Sequence, residues 1–233
     1  ISPSPAPTTT TDTSHVHGLD ESFAVGAWSL KVLADDLGRT YLRITDGQYI
    51  GRFVDDDGNY HQANIEAIAA AGLTQGCDPP ANDRYCPTQL VSRGAMATFL
   101  VRALGLESQL PPFQGIFGDV PAGEWYTPYV EQLYQLGITV GYADGTFQPN
   151  GTVSRAEMSV FLSRALGLDV TVAPTGVFTD VPVDAWFALQ AEALFRAGIT
   201  AGCTAEPRKY CPNDPVPRDQ MATFLARAIL SAP

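Results

Sequence analysis

The chain repeats one pattern of residues three times, and this repetition constrains its fold more than any single residue does. Each copy runs from a phenylalanine-x-aspartate start through an aromatic pair and a Gly-x-x-x-Gly element to a five-residue motif that contains an arginine and ends in methionine. This motif, called the box below, covers residues 92–96, 154–158 and 217–221. The box arginines Arg93, Arg155 and Arg218 are 62 and 63 residues apart. A fixed period means that one supersecondary unit is stacked or arranged around an axis, so the fold has to be predicted for each repeat.

Every repeat is predicted to contain a helix, a loop and a second helix. The repeats span residues 53–106, 117–168 and 178–230. In the middle repeat, Gly137 stands where a helix ends in the left-handed conformation, and Ser154 with Glu157 forms a capping box that begins the next helix. Apolar residues at helical spacing then predict a buried face that includes a methionine in each copy: Met96, Met158 and Met221.

Residues 1–52 precede the repeats and differ from them in composition. Residues 1–17 combine prolines with four consecutive threonines, which predicts an extended N-terminal arm. Such an arm is ordered only when its own chain or a neighbouring molecule holds it. Residues 18–52 contain apolar and β-branched runs separated by turn residues, which predict a small β-hairpin element that needs another surface to pack against.

The four cysteines form two pairs, each just after the second glycine of a Gly-x-x-x-Gly element. The middle repeat has a shorter loop and lacks both cysteines. Cysteines thus occur only where the loop is long, as expected if a disulfide closes the long loop. The sequence therefore predicts the bridges Cys77–Cys86 and Cys203–Cys211, each worth up to roughly 2–3 kcal/mol, and an oxidising, extracytoplasmic location. A zinc site is the alternative, but neither pair has CxxC spacing or a nearby histidine.

Charge and composition exclude several classes of function. The net charge is −11, which disfavours nucleic acids and anionic membrane surfaces as partners. No apolar run approaches the roughly 18–20 residues of a membrane-spanning helix. The run from Asp55 to Asn59 is a poor calcium loop, because Tyr60 stands where the turn requires glycine. With three histidines and no Ser-His-Asp or Cys-His set, the sequence predicts no enzyme, no cofactor and no metal site.

The repeats resemble the S-layer homology (SLH) domain family. The middle repeat carries the motifs Gly137-Ile-Thr, Asp144-Gly-Thr-Phe-Gln-Pro-Asn150 and Ser154-Arg-Ala-Glu157, and the resemblance extends over residues 53–230. It implies a mainly α fold in which three helix-loop-helix repeats form a pseudo-threefold bundle. It also implies an extracellular, cell-surface protein that attaches non-covalently to a secondary cell-wall polysaccharide, often acidic, in the grooves between the lobes.

The resemblance further implies that the box arginines contact the acidic sugar: Arg93, Arg155 and Arg218. A guanidinium beside the outward N–H groups of a helix N-terminus suits a carboxylate. The alternative is that each arginine ties a helix start to a loop or a neighbouring lobe. The box glutamate is present only as Glu157, with Ala95 and Gln220 in the other repeats, so the grooves are not equivalent.

We expect Trp125 and Trp186 to pack in the core between the lobes. The alternative is that they stack on a sugar face. Two functions follow from these residues. The first is glycan anchoring, with a secondary cell-wall polysaccharide as partner. The alternative is a structural subunit of a self-assembling filament or surface layer, in which the arm and the β element pack on a neighbouring copy of the chain.

Overall fold

The computed structural model describes residues 52–229 and, ahead of them, the backbone of three strands. These strands are β1 (Ser22–Val25), β2 (Trp28–Ala34) and β3 (Thr40–Thr45). They form an antiparallel sheet in which β2 pairs with both of the others. The strands lie within the segment for which the sequence predicts a β element, whereas the arm at residues 1–17 lies outside the described residues.

The regular secondary structure of residues 52–229 is mainly α-helical. The helices are α1 (Gln62–Ala70), α2 (Arg93–Ala103), α3 (Thr127–Gln135), α4 (Arg155–Ala165), α5 (Ala188–Arg196) and α6 (Arg218–Ile229), and a short 3₁₀ turn covers Glu107–Gln109. A small hairpin of β4 (Thr204–Ala205) and β5 (Arg208–Lys209) extends the loop of the third repeat. None of the helices in this described part is both long enough and apolar enough to span a membrane.

The ends of the helices in the middle repeat follow the local sequence signals. The hydroxyl of Ser154 accepts from the backbone N–H of Glu157, and the Glu157 carboxylate accepts from the backbone N–H of Ser154, so the predicted capping box is confirmed. Gly137 follows the end of α3 with a φ of +69°, the left-handed conformation that glycine adopts without steric cost.

The first helix of each repeat packs against the second helix of another repeat. The pairs are α1 with α6, α2 with α3 and α4 with α5, so the first and last helices of the described repeats meet. The backbones of Val91, Val153 and Val216 form a closed ring of three N–H···O bonds, each 2.9 Å long. These valines precede α2, α4 and α6, and all three are at most 1% exposed. The starts of the three second helices therefore converge at one buried point.

The core and the cross-links agree with the sequence-based predictions. Met96, Met158 and Met221 are 0% exposed, which confirms that the methionines belong to the core. Both predicted disulfides are present, Cys77–Cys86 and Cys203–Cys211, with Cα atoms 6.1 and 6.0 Å apart.

An aspartate at the start of each repeat holds the loop between its two helices. The carboxylate of Asp180 accepts from the backbone N–H groups of Tyr210 and Cys211 at 2.7 and 2.8 Å. Asp119 holds the middle loop in the same way, and Asp55 holds the first. The Asp55 carboxylate accepts two backbone hydrogen bonds, so the acidic residue at this position has a structural role in holding the loop.

Candidate functional site

Two grooves lie between the repeats, and both have box arginines in their walls. Groove A has a volume of about 430 Å³ and is lined by Arg93, Tyr142, Glu157, Phe161, Arg164 and Trp186, among others. Groove B has a volume of about 420 Å³ and is lined by Tyr60, His61, Arg155, Cys203, Gln220 and Arg227, among others. Both volumes fall in the range of small-molecule sites.

The two grooves are built from corresponding parts of different repeats. Each combines the box arginine of one repeat, the Gly-x-x-x-Gly element and second helix of the next, and the aromatic pair of the repeat after that. The second glycine of that element cannot be replaced without strain. At Gly202 the φ is +96°, and an added Cβ would meet the carbonyl of Lys209 and the ring of Phe178.

The box arginines are buried, and each reaches into the loop of another repeat. Arg93, Arg155 and Arg218 are only 5%, 4% and 8% exposed. Their Nε atoms donate to the backbone carbonyls of Phe147, Tyr210 and Tyr85 at 2.6, 2.7 and 2.7 Å. Each guanidinium also lies over a tyrosine ring of another repeat, Tyr142, Tyr210 or Tyr85, which adds a cation–π attraction. This geometry favours the alternative in which the arginines tie the repeats together.

The first N–H groups of α2, α4 and α6 are also used inside the fold. In α4, the N–H of Arg155 donates to the carbonyl of Asp214, and that of Ala156 donates to the carbonyl of Pro212, both at 2.9 Å. The first two N–H groups of α2 and α6 donate to loop carbonyls in the same way. The expectation that outward N–H groups complete an anion clamp beside the arginine is therefore wrong, because loop carbonyls of another repeat already accept from them.

In groove A the buried arginine has a carboxylate partner. Arg93 Nη1 donates to Glu157 Oε1 at 2.9 Å, and the hydroxyl of Tyr142 donates to the same oxygen at 2.6 Å. Burial alone would raise the pKa of Glu157. Hydrogen bonds from Tyr142 and Ser154, together with the charge of Arg93, outweigh burial and hold that pKa below its usual value. Glu157 is therefore ionised near neutral pH and neutralises Arg93.

In groove B the corresponding arginine has no carboxylate partner. Arg155 Nη1 donates to the neutral amide oxygen of Gln220 at 3.2 Å. Its Nη2 is buried and has no hydrogen-bond partner among the described residues. Burial lowers the pKa of Arg155, while electrostatic interactions with Tyr210, Asp214 and Asp180 act in the opposite direction. The guanidinium remains a cation, since its ordinary pKa lies far above neutral pH.

The aromatic residues of the groove rims are exposed. Trp125 and Trp186 are 59% and 65% exposed, and Tyr60, at the matching position of the first repeat, is 87% exposed. Each tryptophan contacts the next aromatic residue edge-on, with ring centroids 5.3 Å apart. The expectation that the tryptophans pack in the core between lobes is wrong, because Tyr126 and Phe187 fill those buried positions instead.

The third junction between repeats contains Arg218, whose Nη2 donates to the carbonyl of Gly76 at 3.3 Å. Ala95 stands at the box-glutamate position of the first repeat, and Trp125 corresponds in sequence to Trp186 of groove A. The six residues for which glycan contact is expected are thus distributed over three junctions, and only groove A brings an arginine, a glutamate and a tryptophan together.

The sequence analysis did not identify a set of glutamates in the first helix of each repeat, two of which are buried. Glu131 and Glu192 are 1% and 4% exposed, and each accepts hydrogen bonds from backbone N–H groups of the linker that leads into its own repeat. Glu66 accepts from the N–H of Arg52 in the first repeat. The signal was present in the sequence, since a Gly-x-Phe start is followed at a nearly constant distance by a glutamate in all three copies.

Known proteins are similar to parts of this chain. Residues 116–159 match the family model described as the S-layer homology domain. An S-layer protein of Bacillus thuringiensis subsp. finitimus is 31% identical over 70% of this chain and 19% of its own length. A surface-layer 125 kDa protein of Lysinibacillus sphaericus is 28% identical over 73% of this chain and 14% of its own length.

The relatives also include enzymes. An endoglucanase of Bacillus sp. (strain KSM-635) is 33% identical over 48% of this chain, and the match covers 11% of the endoglucanase. The chain thus corresponds to less than a fifth of the length of each of these three relatives. The matched domain and the surface-layer relatives indicate an extracellular, cell-surface location. The chain carries an S-layer homology domain at residues 116–159.

Proposed function

We propose that this chain is a non-enzymatic surface protein whose three SLH repeats form a pseudo-threefold bundle and hold an acidic secondary cell-wall polysaccharide in the grooves between them. The proposed contacts are Arg93, Glu157 and Trp186 in groove A, Arg155 in groove B, and Arg218 with Trp125 at the third junction. The observation that carries the proposal is the combination of exposed rim aromatics with grooves that contain buried cations.

The rim aromatics support a sugar ligand because a folded protein gains little from leaving large rings in water. Trp186 is 65% exposed and lines groove A next to the polar groups of Arg93 and Glu157. An indole face beside hydrogen-bonding groups matches a sugar, which presents an apolar face and polar edges. The net charge of −11 makes general electrostatic attraction to an anionic polymer unfavourable, so recognition of an acidic glycan has to come from these local cations.

Co-sedimentation with purified cell wall tests the proposal. The chain is expected to pellet with intact wall and to remain in solution with wall from which the secondary polymers have been stripped. Trp186→Ala is expected to weaken binding by about tenfold or more, as truncation of a central contact residue does. Phe113→Ala is the matched control, because Phe113 is 52% exposed but lies in neither groove. Equal binding to intact and stripped wall would contradict the proposal.

A second function, self-assembly, has one observation in its favour. Within the described strands, β1 and β3 are the edges of the three-stranded sheet, and an edge strand can pair with a strand of another copy. The arm that would accompany such a contact lies outside the described residues. Sedimentation velocity of the chain with and without residues 1–17 tests this alternative. Polymers that disappear when the arm is removed would support it, and a monomer in both forms would exclude it.

A further inference from the structure

We infer that groove B keeps the geometry of a binding site only while the Cys203–Cys211 disulfide is intact, whereas groove A does not depend on a disulfide. The inference rests on the proposed function and adds a redox dependence to one of its two grooves. It arises from one position, the residue after the second glycine of the Gly-x-x-x-Gly element, which is Tyr142 in groove A and Cys203 in groove B.

In groove A this residue is attached to the second helix of its own repeat. The Tyr142 hydroxyl donates to Glu157 Oε1 at 2.6 Å, and Glu157 lies in the first turn of α4. The Tyr142 ring also packs against Arg93, with the guanidinium carbon 4.4 Å from the ring centroid. Its backbone N–H donates to the Thr146 carbonyl at 2.7 Å, which closes the short loop. Hydrogen bonds and packing therefore hold this wall, and no cysteine is among the described residues that line groove A.

In groove B the corresponding residue is attached to its own loop instead. The Cys203 side chain forms the disulfide with Cys211, at a sequence separation of 8, and its backbone N–H donates to the Lys209 carbonyl at 2.7 Å. This loop is longer than the middle loop, and a longer loop gains more conformations when its closure is removed. A covalent restraint thus stands in groove B where groove A has a hydrogen bond to a helix.

The disulfide also restrains the group that positions the arginine of groove B. Arg155 Nε donates to the carbonyl of Tyr210, which directly precedes Cys211. Cys211 has a φ of +54°, in the left-handed region that is unfavourable for residues other than glycine. The disulfide and two backbone hydrogen bonds to Asp180 hold the chain in this conformation. Opening the disulfide removes one of these restraints beside the acceptor of Arg155, so the arginine and the groove wall lose their fixed geometry together.

The disulfide is accessible to a reductant in solution, because Cys203 is exposed and Cys211 is half-buried. A dithiol attacks one of the two sulfurs as its thiolate and forms a mixed disulfide with that cysteine. Its second thiol then displaces this cysteine, and the dithiol leaves as a cyclic disulfide. Two electrons pass to the protein, and the two thiol protons of the dithiol end on the cysteines. The product is an open loop beside groove B, while every covalent bond of groove A is unchanged.

Hydrogen exchange of the arginine side chains, followed by NMR without any ligand, is the first test. The Nε–H groups of Arg93 and Arg155 both donate to loop carbonyls, so both are expected to exchange slowly in the oxidised chain. Dithiothreitol is expected to accelerate exchange at Arg155 by about tenfold or more and to leave Arg93 unchanged. The inference is overturned if Arg155 exchange is unchanged with the disulfide open, or if Arg93 accelerates equally because the whole fold opens.

Serine variants assign the effect to one disulfide, since dithiothreitol reduces both. Joint Cys203→Ser and Cys211→Ser replacement is expected to reproduce the fast exchange of Arg155 without any reductant. Joint Cys77→Ser and Cys86→Ser replacement is the matched control, because that disulfide lines neither groove. Fast Arg155 exchange in the control, with slow exchange in the first variant, would overturn the inference.

The wall-binding assay is the second test, and it uses variants that leave one groove with its rim intact. Trp125→Ala with Trp186→Ala leaves groove B, and Trp125→Ala with Tyr60→Ala leaves groove A. Dithiothreitol is expected to weaken wall binding by the first variant about tenfold or more and to leave the second unchanged. Equal weakening of both variants, or of neither, would overturn the inference.

The two tests separate this inference from the function on which it rests. If the native chain pellets with intact wall but dithiothreitol changes neither Arg155 exchange nor wall binding through groove B, the proposed anchoring stands and the redox dependence is refuted. If Arg155 exchange responds to the disulfide but the native chain binds wall in neither redox state, the redox dependence of groove B stands and the anchoring function is refuted.

Discussion

Replacement of Arg218 by methionine tests whether the box arginines stabilise the fold independently of any ligand. Arg218 is 8% exposed, and it joins α6 to the loop of the first repeat. The variant removes the hydrogen bonds from Nε to the Tyr85 carbonyl at 2.7 Å and from Nη2 to the Gly76 carbonyl at 3.3 Å. It also removes the guanidinium from its positions over Tyr85 and Phe99, 4.7 and 5.3 Å from the ring centroids.

The expected cost follows from these contacts. A buried acceptor that loses its donor costs about 1–3 kcal/mol, the longer bond to Gly76 contributes less, and the cation–π contacts add about 0.5–2 kcal/mol. Methionine fills much of the same volume and removes the desolvation cost of a buried charge, which offsets part of the loss. We therefore expect Arg218→Met to lower the free energy of unfolding by about 2–4 kcal/mol.

The assay is urea denaturation under non-reducing conditions and without any glycan, followed by circular dichroism. Arg84→Met is the matched control, because the Arg84 side chain is 59% exposed and its nitrogen lies 3.8 Å from Asp55. An exposed pair of this kind contributes at most about 1 kcal/mol. A stable Arg218→Met variant that unfolds like the native chain but no longer binds cell wall would refute the structural role and make Arg218 a ligand contact.

Three further predictions concern contacts that hold the repeats in place. Glu192→Gln is expected to destabilise the fold at neutral pH. The backbone N–H groups of residues 175–177 and the Thr175 hydroxyl outweigh the opposing effect of burial and lower the pKa of Glu192 in the folded state. The stabilisation from Glu192 is present above its unfolded pKa of about 4.3 and is lost as pH falls through the lower folded value. The stability difference between native chain and variant, measured by denaturation at several pH values, should therefore shrink below pH 4; a difference that grows on acidification would contradict this. Joint replacement of Cys203 and Cys211 by serine opens a loop with a sequence separation of 8 and is expected to cost about 2–3 kcal/mol in urea denaturation, and an unchanged midpoint would show that the loop is already fixed without the bridge. Tyr210→Phe removes a buried hydroxyl that donates to the Arg155 carbonyl at 2.9 Å and is expected to cost about 1 kcal/mol in the same assay, so a stabilised variant would count against this contact.

Local features of the fold could be predicted because they depend on residues close together in the sequence. The capping box at Ser154 and Glu157 and the helix end at Gly137 involve neighbours within one turn. The Cys203–Cys211 pairing followed from comparing loop lengths between repeats. The methionine positions were predictable because helical periodicity identifies a buried face without knowledge of its partner.

The candidate site could be predicted less well because its properties depend on contacts between repeats. The sequence identified Arg155 as important but did not reveal that a tyrosine carbonyl 55 residues away accepts from its Nε. It also did not reveal that loop carbonyls accept from the first N–H groups of α4. The exposure of Trp186 was misjudged, since a tryptophan beside Phe187 gives no local indication of which ring is buried. The sequence showed that Gln220 stands in the third repeat where Glu157 stands in the second. The electrostatic effect of this difference could be judged only once the positions of the arginines were known.

A crystal structure of the chain with an oligosaccharide released from its own cell wall is the most direct test that the grooves between repeats hold the wall polymer. The account predicts sugar rings in grooves A and B, one of them against Trp186. An oligosaccharide bound outside the grooves would contradict it.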